Sequence, residues 1–372
     1  MTFANSKKSD GIEKSPSMKE MSVKDMTPDV VPLYAYDANR KQTMRKIRSF
    51  GDFSVPDVDM NDDGSDDSDD TSRPPSPTLF KDNTMEARDA TAGNISLFDH
   101  HVCTGWDECV KLQKFKYDLS TTESRTLSGT LGFVAQLNEG RATKKRQTEF
   151  RVDKVKQAFD DRKFNFSKVC GSEVLFRFEP IEEDFIVRKS MDDIQQNSIF
   201  VPEWKEPPHV HESPNLVIIN VSPIEYGHIL LVPRVKDNLP QQVSPSTMHF
   251  ALQMAAESNN PFFRIGFNSL GAYGSVNHLH FQGYYLDAPF PVERAPTVPI
   301  PGMPMIRKHV KVTQLSEYPV RGIVMEIVED SRIFNPLEHL AQLCGNACRK
   351  LAEKNIPHNI FIGTANPSRY LI

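Results

Sequence analysis

Over residues 1–95 the apolar positions are scattered among Ser, Asp, Lys and Pro with no sustained period. Such a segment buries too little apolar surface to offset its ordering entropy, so the pattern predicts a disordered tail. From 96 onward the chain reads as globular. Residues 106–115 suit a short helix, and 114–119, 150–155 and 174–178 suit strands. Two apolar runs, 216–221, broken only by Asn220, and 229–232, flank a turn at 222–228 and predict a hairpin buried on both faces. Ser244 and Pro245 offer a helix start, and Met248, Leu252 and Ala255 recur at helical spacing up to Asn259-Asn260-Pro261. Strands are then expected at 263–268, 307–315, 322–328 and 359–363, with an amphipathic helix over 336–355.

One stretch stands apart. In Asn277-His278-Leu279-His280-Phe281-Gln282 the apolar Leu279 and Phe281 alternate with His278, His280 and Gln282. As a strand it buries one face and lines up two imidazoles and an amide on the other. Neutral imidazole suits nucleophilic attack or proton transfer near neutral pH, and a carbonyl held by its second nitrogen fixes the reactive tautomer. Two other readings stand beside this one: ordinary satisfied polar residues, or two metal ligands completed by a carboxylate or Cys elsewhere. The preceding loop, 269–276, carries Gly274 and Ser275, small residues that let backbone N–H groups approach an anion. His209 and His211 sit among prolines and read as loop.

The net charge of −5 misleads, because eight aspartates crowd between Asp57 and Asp70 and the remainder is mildly basic. That balance suits small anionic substrates and falls short of a nucleic-acid surface. The run Lys144-Lys145-Arg146 is a solvated face or a weak import signal, with a phosphate clamp at Lys145 as the sharper reading. No apolar run approaches the roughly 18 residues of a membrane span, and the N-terminus lacks an apolar core for a secretory signal. Five cysteines without a Cys-x-x-Cys pair suit reduced thiols in the cytosol rather than zinc or disulfides. The localisation expected is cytoplasmic, with the nucleus open.

The 222–234 segment, the following helix, a strand ending at Asn268, the small-residue loop and His278-x-His280-x-Gln282 together resemble the histidine-triad superfamily. The His-x-His-x-Gln form resembles its nucleotidyltransferase branch, to which galactose-1-phosphate uridylyltransferase belongs. Residues 132–141, 144–146, 148–155 and 277–282 are similar to the plant GDP-L-galactose phosphorylase family, enzymes of L-ascorbate synthesis. The resemblance implies an α+β fold, a histidine-triad-like antiparallel sheet with packed helices, at 96–363. It also implies a second lobe cut short, with 364–372 a divergent tail.

On that resemblance His280 is the nucleophile, His278 and Gln282 share the catalytic row, and Asn268 orients it. Gly274, Ser275, Asn277, Arg234 and Lys145 make up the expected substrate- and phosphate-binding set. The implied reaction takes GDP-L-galactose and inorganic phosphate to L-galactose 1-phosphate and GDP through a guanylyl-histidine, with no cofactor, metal, nucleic acid or membrane, and with a homodimer as one assembly. Two alternatives stay open: a shortened non-catalytic relative that binds guanine nucleotide or a partner, and a GDP-D-glucose phosphorylase.

Overall fold

The computed structural model describes residues 21–27, 30–36, 96–120, 122–180, 213–258, 260–286, 290–307, 309–328, 336–363 and 370–371. The aspartate run and the His209/His211 pair lie outside them. In chain order the strands are β1 (Leu33–Tyr36), β2 (Glu123–Thr126), β3 (Val134–Leu137), β4 (Val174–Pro180), β5 (Leu216–Ile219), β6 (Ile229–Val232), β7 (Phe263–Asn268), β8 (Phe281–Tyr285), β9 (Thr297–Pro299), β10 (Ile306–Arg307), β11 (Val310–Leu315), β12 (Ile323–Ile327), β13 (Asn359–Gly363) and β14 (Tyr370–Leu371). The helices are α1 (Leu97–Lys111), α2 (Glu139–Lys144), α3 (Pro245–Ser258), α4 (Pro291–Arg294) and α5 (Pro336–Glu353). Among the described residues no helix is long and apolar enough to cross a membrane.

One twelve-stranded sheet organises the molecule, in the order β1-β4-β5-β6-β8-β7-β13-β14-β12-β11-β10 with β9 on β11. Every recorded pairing in it is antiparallel except β1 with β4. The fold is thus the expected α+β arrangement, with an antiparallel sheet and packed helices.

The predicted hairpin forms with Leu216 opposite Val232 and Ile219 opposite Ile229. Its continuous apolar sequence has a direct cause: Val217, Ile219, Ile229 and Leu231 face the core shared with α1, α3 and α5, while Leu216, Ile218, Leu230 and Val232 face a second apolar layer. That layer is made by Val23, Met26, Val31, Phe166, Val169, Val235 and Val276. α3 begins as predicted, with the Thr247 N–H donating to Ser244 Oγ at 3.3 Å.

Several expectations are corrected. Part of the predicted tail is built into the sheet: β1 pairs with β4, and Tyr34 and Tyr36 stack on Phe178 with ring centroids 5.6 and 4.3 Å apart. Four residues inside a polar stretch are too short to register as a period. The helix expected at 106–115 starts earlier, where Ser96 caps Asp99 N–H at 3.0 Å, and ends at Lys111. Residues 114–119 and 150–155 form no strand. In the latter, Gln157 Nε2 folds back onto the Arg151 and Lys154 carbonyls and Val152 stays 70% exposed, so its alternation has no partner strand to answer it. The histidine strand also starts late, at Phe281.

Candidate functional site

His278 and His280 precede β8 because a side chain replaces the neighbouring strand. Gln241 Oε1 accepts the His280 N–H at 2.9 Å and Gln241 Nε2 donates to the His280 carbonyl at 3.2 Å, while Leu279 N–H reaches the Leu239 carbonyl at 2.7 Å. The backbone's obligatory partners are thereby met outside a ladder. The alternation survives the change: Leu279 and Phe281 enter the main core, and the two imidazoles lie against Phe166 of the second layer.

The tautomers follow from the partners. His280 Nδ1–H donates to the His278 carbonyl at 2.8 Å, which leaves the Nε2 lone pair without a hydrogen bond among the described residues. His278 is set the other way round. Its Nδ1 accepts the Phe166 N–H at 3.1 Å, so the proton sits on Nε2, which meets no acceptor at hydrogen-bonding geometry among the described residues. A buried donor in that state is costly unless a ligand oxygen completes it. One ring presents a lone pair, and the next presents an N–H.

Burial holds the row neutral. It pulls His280 down to about 4, opposed by the His278 carbonyl. It pulls His278 down to about 3, helped by His280 and opposed by the Val235 backbone.

Gln282 is held by both ends. His228, fully buried, accepts the Ile224 N–H on Nδ1 at 2.8 Å and so points Nε2–H at Gln282 Oε1, 3.1 Å away. Gln282 Nε2 donates to Asn268 Oδ1 at 2.9 Å, and Asn268 Nδ2 donates to the Ala272 carbonyl at 3.1 Å. Every bond in this relay has one polarity, so the amide cannot flip without breaking two of them. Its second N–H remains for a ligand.

A cationic arm approaches on the His228 side of Gln282. α2 and β3, which pairs with β2, dock on the 222–225 turn, where Arg141 donates to the Ser222 carbonyl and Gln136 Nε2 to Glu225 Oε2 at 3.0 Å. Arg141 and Lys145 are half-buried and both lower the His228 pKa, to about 3, after the larger effect of burial. Lys145 is itself pushed down by burial and by Arg141. Tyr284, whose ring lies 5.2 Å from His228, has its pKa pushed up by burial, with Arg141 opposing that rise.

The expected set is therefore partly redrawn. His278 and His280 share one row and Asn268 is bonded to Gln282, while Lys145 is felt electrostatically at His228, behind Gln282. Asn277 is 2% exposed and spends its amide on the Gln157 and Ala158 carbonyls, at 3.2 and 2.8 Å, and its Oδ1 on the Gln241 N–H. Gly274 turns its N–H to the Ser269 carbonyl at 3.1 Å, and a Cβ there would stand 2.8 Å from the Asn268 and Ser269 carbonyl oxygens. That glycine serves close approach of its own loop rather than an anion. Ser275 is half-buried and its hydroxyl has no hydrogen bond among the described residues. Arg234 points outward, 52% exposed and 3.5 Å from Asp237. Among the described residues no three His, Cys, Asp or Glu side chains converge as a metal site.

Sequence reasoning missed His228, Gln241, Arg141 and Phe166. Only His228 carried a signal, as a histidine opening a fully apolar strand.

The GDPGP1-like N-terminal domain matches residues 97–284, and the GDPGP1-like C-terminal domain matches 291–372. GDP-L-galactose phosphorylase 2 of Arabidopsis thaliana is 42% identical over 282 residues, covering 76% of this chain and 61% of that protein. GDP-D-glucose phosphorylase 1 of Bos taurus is 37% identical over 273 residues, covering 73% and 63%. The chain thus spans about three-fifths of the length of these relatives. A crystal structure of a yeast Ap4A phosphorylase with Ap4A aligns with a TM-score of 0.42 and 11% identity, over 74% of this chain and 80% of that one.

Proposed function

This chain belongs to the GDPGP1-like family, and from that premise we propose that it is a GDP-hexose phosphorylase acting on GDP-L-galactose. The reading is carried by one observation: His280 offers an Nε2 lone pair with no hydrogen bond among the described residues, its tautomer fixed by the His278 carbonyl, beside the Nε2–H of His278.

His280 Nε2 attacks the α-phosphorus of the GDP-sugar. A P–N bond forms, the bond to the bridging oxygen breaks, and L-galactose 1-phosphate leaves with the electron pair. Inorganic phosphate then attacks the same phosphorus, the P–N pair returns to His280, and GDP departs. Dividing the transfer this way replaces one hard step by two easier ones. His278 Nε2–H, the free N–H of Gln282 and the guanidinium of Arg141 supply donors for the charge that builds on the phosphoryl oxygens, each worth about 2.7–4 kcal/mol when well placed. Lys145 adds positive charge to the approach, and Asn268 with His228 keeps Gln282 in its working orientation.

Residence in the cytosol with access to the nucleus belongs to the same reading, supported by the free cysteines and the basic Lys144-Lys145-Arg146 run. An ascorbate-pathway role is supported by the likeness to the Arabidopsis protein, and GDP-D-glucose is the second substrate to weigh, supported by the likeness to the Bos taurus one. Purified chain incubated with each GDP-sugar, with and without phosphate, separates the readings. GDP release that requires phosphate and is faster from GDP-L-galactose supports the proposal. Affinity for GDP without turnover would instead mark a non-catalytic relative.

A further inference from the structure

Phosphate must reach the guanylyl-histidine while water, far more abundant, must not. Nothing in the Gln282 amide makes that choice. The other side of the imidazole row is lined differently. Phe166, 4% exposed, sets its ring 4.9 Å from that of His280 and 5.6 Å from that of His278. Phe159 meets His278 edge-on at 5.4 Å, and Phe164 packs on Phe166 at 5.9 Å. This segment is fastened at three points: Asn277 holds the Gln157 and Ala158 carbonyls, the Phe166 N–H bonds His278 Nδ1, and the Arg146 guanidinium lies 3.8 Å over the Phe164 ring. The last contact joins the cover to the cationic arm.

We propose that Phe166, supported by Phe159, is a water-excluding cover over the His280 adduct and makes phosphate rather than water its acceptor. This rests on the reaction proposed above. A water positioned for attack needs two to four polar partners and a base to take its proton. Phenyl rings at contact distance offer neither, and both imidazole Nδ1 atoms are already engaged. Phosphate needs no such help, since it arrives as an anion with its own nucleophilic oxygen and is drawn by Arg141 and Lys145. Where water does attack, its oxygen bonds to phosphorus, the P–N pair returns to His280, one proton goes to solvent, and GMP leaves in place of GDP. Closing a site against hydrolysis of a reactive intermediate is a recognised use of apolar enclosure.

The test is a partition ratio, which loss of overall activity alone would not move. The 372-residue chain is converted to its adduct with GDP-L-galactose, and GMP and GDP are counted as phosphate is titrated. Phe166→Ala should raise the GMP:GDP ratio roughly tenfold or more at fixed phosphate, equivalent to about 1.4 kcal/mol in relative barrier. Phe159→Ala, at a half-buried site, should raise it less, and Phe166→Leu should stay near the parent ratio. Should Phe166→Ala fail to fold, Phe159→Ala carries the test. An unchanged ratio in adduct-forming variants overturns the cover alone, whereas a parent chain that forms no adduct overturns the underlying reaction.

Discussion

Gln241 grips the backbone of His280 on both sides, taking its N–H on Oε1 at 2.9 Å and giving Nε2–H to its carbonyl at 3.2 Å. The same Nε2 reaches the Asn268 carbonyl at 3.0 Å, so one amide ties the proposed nucleophile to the strand that orients Gln282. Gln241→Met should therefore lower kcat on the order of 10²-fold with a smaller change in KM, because an ångström of drift at a reacting atom costs about that much. Steady-state kinetics on folded variant check it.

Arg141 acts on His228 from an arm outside the main sheet, which makes its contribution separable from the fold of the histidine row. Arg141→Met should lower kcat/KM for the GDP-sugar about tenfold or more, the worth of one hydrogen bond to a charged group, with kcat falling as well because the charge it meets builds in the transition state, while the adduct still forms at saturating substrate. Initial rates across substrate concentration decide this.

Arg264 and Glu293 form a bidentate pair at 2.7 and 3.0 Å, both nearly fully buried, joining the segment matched by the N-terminal family domain to that matched by the C-terminal one. Removing one charge strands the other. Glu293→Gln should cost about 3–5 kcal/mol, and the double change Arg264→Met with Glu293→Leu should recover much of it. Urea unfolding of the three proteins measures both effects.

Buried neutral histidines fix the direction of the pH response. With His280 near 4 when folded and about 6.5 when unfolded, its lone pair survives mild acid. The acid limb of kcat/KM should fall with an apparent pKa below about 5 rather than near 6.5. Stability moves in the same direction. Between about 6.5 and the folded values of about 4 and 3 for His280 and His278 the unfolded chain binds more protons, so these groups lower stability as pH falls through that window. A pH–rate profile and thermal unfolding across the same buffers test each part.

Legibility in the sequence followed the length of the physical signal. The 216–232 hairpin, α3, β7, β13 and α5 announce themselves because burial imposes a period or a continuous apolar run on their own residues. His278, His280 and Gln282 were visible for the same reason, as polar interruptions in an alternating stretch. What stayed hidden depends on residues far apart in the chain. Gln241 serves as a strand surrogate only because Asn277 and Leu279 hold the 239–241 loop beside residue 280, and Arg141 matters only because its arm docks on the 222–225 turn. The role given to Gly274 failed because glycine signals close approach without saying to what. Here it approaches its own strand end.

The most direct check is intact-protein mass after incubation with GDP-L-galactose without phosphate. One guanylyl group should appear on the parent chain, map to His280, vanish when phosphate is added, and be absent from His280→Ala. An adduct that persists in His280→Ala, or phosphate-dependent GDP formation by that variant at the parent rate, would contradict the central role given to this imidazole.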